Sequence, residues 1–388
     1  MRWQTHAQGR TVKGRVMSLS RRRFVQLAGA GSGLLMQSQF LKAQQAAGTD
    51  TAAGKDSNRP SKVSLVHGDD RRKNVRQALE IIDDQIQAGM RHKKYVVIKP
   101  NNVSTVNQLA ATHVDALNGI LDYLEPRFHG PVIIAESSAG DTLVGFENFK
   151  YNQMAAERRA QKVKLVDLNR EGKFETIELI DYDLHITPVR LAAMVLDPDA
   201  YVISSAMLKT HNSVVATLSV KNMVLGSPLH SVSGEANWND KRKYHVGIRQ
   251  THYNMLVTAQ KLHPNWGTAL IDGFEGMEGN GPDKGTPVDS RLAIASTDFI
   301  AADRVGIEAM GINPAWVGYL NYCSQAGLGQ FDLTRIEVKG TTIASVQKKY
   351  RLHEDIEHEL EWMGPMEELP PKVGSLLHQY DALGSVNG

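Results

Sequence analysis

Cysteine is nearly absent: Cys323 is the only one in 388 residues. An intramolecular disulfide, a cysteine-ligated iron–sulfur cluster and a Cys-rich zinc site are therefore excluded. Cys323 lies in the apolar run Tyr319-Leu320-Asn321-Tyr322-Cys323 and reads as a small buried hydrophobe. Acidic residues are missing from residues 1–46, which hold eight Lys/Arg and no Asp or Glu. Setting that segment aside leaves 36 basic residues against 42 acidic ones, a net charge of −6. So mild an acidity does not suit a nucleic-acid surface. A long apolar run is also lacking. Residues 24–41 are diluted by Gly29, Gly31, Ser32, Gly33 and Ser38, too polar a stretch for a confident membrane span. There is no Gly-x-Ser-x-Gly elbow, no phosphate-loop Gly-Lys-Ser/Thr, no His-x-x-x-His and no EF-hand spacing.

What stands near the start is Ser20-Arg21-Arg22-Arg23-Phe24, followed by the Gly- and Ala-rich stretch and then Lys42. This is the form of a twin-arginine export signal, an address read by a translocase that carries folded passengers. The expectation is a periplasmic or otherwise exported protein, anchored if the signal stays uncleaved. Residues 1–46 form the signal, 47–61 a small, polar linker, 62–340 the main domain and 341–388 a charged, helical appendage with a polar tail.

Within 62–340, short buried runs alternate with helical stripes. Val63-Ser64-Leu65-Val66 predicts a strand; Val75, Leu79, Ile82 and Ile86 then recur at helical spacing. The runs at 95–98, 132–135, 163–166, 201–203 and 269–271 have the continuous apolar character of strands buried on both faces. Residues 177–186 read as an antiparallel excursion. The class is α/β, a mostly parallel sheet with helices on both faces.

In such sheets ligands bind beyond the carboxyl ends of the strands. Four strand ends deliver charge there: Lys99 with Asn101 and Asn102, Glu136 with Ser137, Lys209 with Thr210 and His211, and Asp272 with Glu275 and Glu278. Lysines at the rim of an apolar sheet need something negative nearby, either a protein carboxylate or an anionic ligand. The asparagines, Ser137 and Thr210 would orient that ligand. Lys221-Asn222 adds a third cation and an amide. The glycine-rich stretch 272–282 reads as a tight loop whose carboxylates, Asp272 and Glu278, suit a divalent cation.

Taken together, Lys99-Pro100-Asn101, Ala135-Glu136, Leu208-Lys209-Thr210-His211, Leu218-Ser219-Val220-Lys221-Asn222, Asp272-Gly273 with Glu278-Gly279-Asn280-Gly281-Pro282, and Gly311-Ile312-Asn313-Pro314 resemble the domain-of-unknown-function family numbered 362. The pieces follow that family's order from about Val63 to Gly340. The resemblance implies an α/β domain often associated with iron–sulfur proteins, but this chain lacks the cysteines for a cluster. It implies no settled reaction, and it places Asn280 among the ligand-binding positions. The leading expectation is an enzyme-like site in which Lys99, Lys209 and Lys221 hold a small anion. Glu136 or Asp272 would serve as acid/base or hold a divalent cation, and His211 would orient or shuttle a proton. The rival is a non-catalytic periplasmic binding or accessory protein for a redox partner. A third reading is a structural ion-pair network.

Overall fold

The structure, a computed structural model, describes residues 60–364. Residues 1–46, where the sequence predicts an export signal, lie outside the described residues. Among the described residues eleven strands are formed: β1 (Ser61–His67), β2 (Tyr95–Lys99), β3 (Val132–Glu136), β4 (Val163–Asp167), β5 (Phe174–Ile180), β6 (Ile186–Ala192), β7 (Ala200–His211), β8 (Val215–Thr217), β9 (Trp266–Glu278), β10 (Thr286–Ser296) and β11 (Ile336–Gly340). The main sheet runs β11-β1-β10-β9-β7-β2-β3-β4, with β8 added to β7. The neighbours from β9 to β4 are all parallel, and β10 is antiparallel to both β1 and β9. The pair β5–β6 is the expected antiparallel excursion.

Burial explains why these runs form strands. Val97 and Val202 face one apolar cluster, while Val96, Ile98 and Ile203 face another on the opposite side of the sheet. A strand covered on both faces has no reason to alternate apolar with polar residues. The helical stripe at 75–86 becomes two helices, Arg71–Ile81 and Asp83–Met90, broken at Ile82. All four apolar stripe residues are still buried. Among the described residues no helix is long and apolar enough to cross a membrane.

Three expectations need correction. First, Lys209, Thr210 and His211 do not lie beyond a strand end. Pairing with β8 and β9 carries β7 through His211. Second, residues 272–278 are not a loop but the second half of β9. Gly273 and Gly276 serve close packing there: a Cβ at Gly276 would stand 2.1 Å from the Tyr350 hydroxyl, and one at Gly273 would stand 2.6 Å from Leu292. Third, residues 348–355 are not helical. The Lys348 and Tyr350 N–H groups bond the carbonyls of Ala309 and Met310, and the Arg351 carbonyl accepts from the Gly279 N–H. These backbone groups are used against the domain, so no helical ladder forms until Ile356–Glu359 and Leu360–Met363.

Candidate functional site

Chain order places β3 and β4 on one side of β2, then returns to place β7 and β9 on the other. The sheet therefore has a switch point between β2 and β7, where the crossovers part and leave a crevice. Lys99 ends β2 at this point, level with Ser204 of β7. Its ammonium is fully buried and donates to Glu136 Oε1 (2.9 Å), the Pro100 carbonyl (3.0 Å) and Asn222 Oδ1 (3.2 Å). Glu136 Oε1 also accepts the Ser137 N–H (2.7 Å), and Oε2 accepts the Asn102 N–H (3.1 Å). Asn222 donates through Nδ2 to the Lys99 carbonyl and to Ser204 Oγ, and its Oδ1 also accepts from Asn101 Nδ2. Lys99 thus uses all three of its protons, and Glu136 has both oxygens engaged. The pair is a frame that fixes the loop after β2.

Asn222 and Lys221 ride on the helix Ser219–Gly226. Asp303, fully buried, accepts the Ser219 N–H (2.8 Å) and the Val220 N–H (2.9 Å), which anchors the first turn of that helix. Burial outweighs those bonds and raises the Asp303 carboxyl to about 7.

Above the frame opens a cavity of about 500 Å³, within the usual range for small-molecule sites. Lys99, Asn101, Asn102, Glu136, Ser137, His211, Lys221, Lys241, His245 and Asp283 are on its wall. Lys221 is 5 % exposed, and among the described residues its ammonium has no hydrogen-bond or ion-pair partner. Burial first, then the charges of Lys209 and Lys99, hold its pKa well below that of an ordinary lysine. Lys241 reaches the end of the same helix, 3.4 Å from the carbonyls of Leu225 and Gly226, and burial lowers it to about 7. Lys209 backs the wall without lining it. It is fully buried, donates to the Ala110 carbonyl (3.3 Å), and burial lowers it to about 7 against the pull of Asp283 and Glu136.

His211 accepts the Ser213 N–H at Nδ1, so its neutral ring carries hydrogen on Nε2. Burial and then Lys221 push its pKa well down, and its ring lies 6.5 Å from that of His245, nearly parallel. Asn101 Oδ1 and Asn102 Nδ2 are buried and, among the described residues, have no hydrogen-bond partner. One acceptor, one donor and a free ammonium thus sit in one wall. Such atoms are costly to bury unless a ligand meets them.

The model of a family described as Domain of unknown function (DUF362) matches residues 96–308, more than half of the chain. The chain belongs to this family. Every cleft residue named above falls inside the DUF362 match. A thylakoid-associated protein of Synechocystis sp. is 31% identical to this DUF362 chain over 144 residues, covering 36% of this chain and 41% of that protein. The chain thus spans less than half the length of that relative. A crystal structure of a Thermotoga maritima protein aligns with a TM-score of 0.39 at 10% identity, over 68% of this chain and 59% of that one.

Of the residues singled out in the sequence, Lys99, Asn101, Asn102, Glu136, Ser137, His211 and Lys221 line the cleft, with Asn222 and Lys209 directly behind it. The Ser137 hydroxyl points to Asn169 Oδ1 and the Pro228 carbonyl. The rest are engaged elsewhere. The Thr210 hydroxyl donates to the Gly279 carbonyl (2.8 Å), and Asn280 Oδ1 accepts the Glu354 N–H (3.2 Å). Asp272 pairs with Arg71 (3.2 Å), which also stacks over Phe274. Glu278 accepts the Arg351 N–H and pairs with its guanidinium. Asp272 and Glu278, six residues apart on β9, are therefore held by different arginines. Among the described residues no group of three or more His, Cys, Asp or Glu side chains is placed to hold a metal. Lys241 and Asp283 were missed by the strand-end argument. Lys241 lies in the short turn Asp240–Tyr244, in a polar stretch with no periodicity to place it.

Proposed function

We propose that this DUF362 protein binds a small carboxylate- or phosphate-bearing molecule in the cleft at the β2–β7 switch point. One observation carries the reading: the buried side-chain nitrogen of Lys221 is on the wall of a cavity of small-molecule size and, among the described residues, has no protein partner. A structural lysine would have a carboxylate beside it, as Lys99 has. An anion entering the cleft would supply the missing charge and would meet Asn102 Nδ2 as a second donor. Lys241 and Lys209 would strengthen its field.

Sulfate, whose charge is constant near neutrality, tests this by titration calorimetry. Lys209 and Lys241 take up protons as the pH falls through about 7, so sulfate affinity should rise over that interval. The sign for stability is the opposite. Both lysines are depressed below the unfolded value of about 10.4, so their contribution is full above that value and is lost as the pH drops through about 7. Sulfate should restore it. Lys221→Met should weaken sulfate binding about 10–100-fold and yet raise the urea midpoint, because it replaces a buried polar amine that has no protein partner among the described residues with an apolar side chain. A lower midpoint with unchanged sulfate affinity would sink the reading.

One observation favours a binder over an acid/base catalyst. Glu136, which shares the cavity wall with Asp283, has both oxygens occupied by Lys99 and by backbone N–H groups. Turnover by Glu136 would require dismantling that frame.

We infer further that the protein reaches the periplasm through the twin-arginine pathway, on the strength of Ser20-Arg21-Arg22-Arg23-Phe24 and the diluted apolar stretch behind it. Replacing Arg21 and Arg22 by lysine should leave folded protein in the cytoplasm of its host, measured by cell fractionation. Unchanged export of that variant would overturn the inference.

A further inference from the structure

The cleft contains a primary amine with the attributes of a nucleophile. We propose that Lys221 forms an imine with a small anionic carbonyl compound, a 2-oxo acid or an aldehyde acid, whose carboxylate is held by Lys241 and the Asn101–Asn102 loop. The inference rests on the anion-binding reading and names the chemical class of the ligand.

Geometry selects Lys221 from the four lysines. Lys99 has its three protons donated to three acceptors. Lys209 is behind the wall and bonds the Ala110 carbonyl. Lys241 rests against two carbonyls at a helix end, where a cation is favoured. Lys221 lines the cavity with its nitrogen unengaged, and Asp303 holds the helical turn that carries it. An amine reacts only when neutral. Burial together with adjacent cations is one way to keep it so, and both act on Lys221. His211, whose Nε2–H has no protein partner among the described residues, supplies a donor close to the same charge.

The reaction balances without an oxidant. The amine nitrogen attacks the carbonyl carbon, a C–N bond forms, and the oxygen takes a proton. The resulting carbinolamine breaks its C–O bond, and the oxygen leaves as water with both amine hydrogens. The product is a C=N bond between Lys221 Nζ and the former carbonyl carbon. No group on the protein changes oxidation state.

The test traps that bond. The full chain is incubated with glyoxylate and cyanoborohydride near pH 7.5, and the modified lysines are mapped by peptide mass spectrometry. Hydride adds to the imine carbon and leaves a carboxymethyl group on the nitrogen. A surface lysine is only about 0.1% neutral at that pH, so Lys221 should be modified at least about tenfold faster than the surface lysines. Sulfate should slow this labelling, and acetaldehyde, which has no anionic group, should show no preference for Lys221. Lys221→Arg, which keeps the cation but cannot form the imine, should leave only the surface background. If that variant fails to fold by circular dichroism, sulfate protection in the unaltered protein decides instead. Labelling spread evenly over surface lysines, or labelling of Lys241 in preference, would overturn the proposal. Sulfate binding by calorimetry with Lys221 unlabelled would remove the imine and keep the anion site; no sulfate binding and no labelling would remove both.

Discussion

Glu136→Gln will destabilise the protein by about 3–5 kcal/mol, the usual cost of stranding one member of a buried ion pair. Glutamine keeps the shape, and one oxygen can still accept from Lys99 or from the backbone. What it removes is the charge opposite Lys99, which lies 2.9 Å away with essentially no exposure to water. Three backbone or side-chain donors converge on the carboxylate, from Lys99, Ser137 and Asn102, and an amide nitrogen placed there would face at least one of them donor to donor. The measurement is urea unfolding of Glu136→Gln, Lys99→Met and the double variant. The double variant should be more stable than the sum of the single losses implies, by at least about 1 kcal/mol. A coupling near zero would mean that the two groups do not act as a pair. This cycle also separates the frame from the ligand site, since Lys221→Met is expected to move stability in the other direction.

The second large effect is at Gly226. Alanine ordinarily favours a helix over glycine by up to about 1 kcal/mol. Here the sign should reverse. A Cβ at Gly226 would stand 2.2 Å from Lys99 Nζ and 2.6 Å from its Cε. Lys99 cannot retreat, because the frame holds it on three sides. Overpacking of this kind costs about 1–3 kcal/mol, and displacement of the ammonium from Glu136 adds to it. Gly226→Ala should therefore unfold at clearly lower urea than the parent. In the Lys99→Met background, where the end of the side chain is more yielding and carries no charge, much of the penalty should vanish. An unchanged midpoint for Gly226→Ala alone would show that the helix end moves aside freely.

Much of the fold was legible because buried parallel strands announce themselves as short apolar runs, as at Val96-Val97-Ile98 and Val132-Ile133-Ile134. The chemistry at the ends of β2 and β3 followed directly, since a charge just after such a run has to emerge at the sheet edge. The reasoning failed where strands run on past their apolar core. β7 continues through polar Lys209-Thr210-His211 because β8 folds back to pair with it, a tertiary event with no local signature. β9 continues through Gly273 and Gly276 because Leu292 and Tyr350 crowd the backbone there, so residues that signal a turn instead mark close packing. That error moved Asp272 and Glu278 onto an imagined loop and towards a cation, whereas each is matched to an arginine remote in sequence, Arg71 and Arg351. Lys241 was invisible for a related reason: only the turn Asp240–Tyr244, folded under the end of the helix Ser219–Gly226, brings it to the cleft.

The pairing of β1 has a consequence for how the protein is made. Its neighbours are β10 and β11, so Ser64 waits for Ala295 and Ser61 for Ile336. The first strand of the domain to leave the ribosome is thus among the last to find its place. Until then the edge of β10 that β1 covers offers bare N–H and C=O groups to any passing strand. A chain halted or clipped before residue 336 would lack β11 and leave the outer edge of β1 bare, and contacts so distant in sequence predict slow closure. Chaperone protection during synthesis should matter more for this protein than its regular interior suggests.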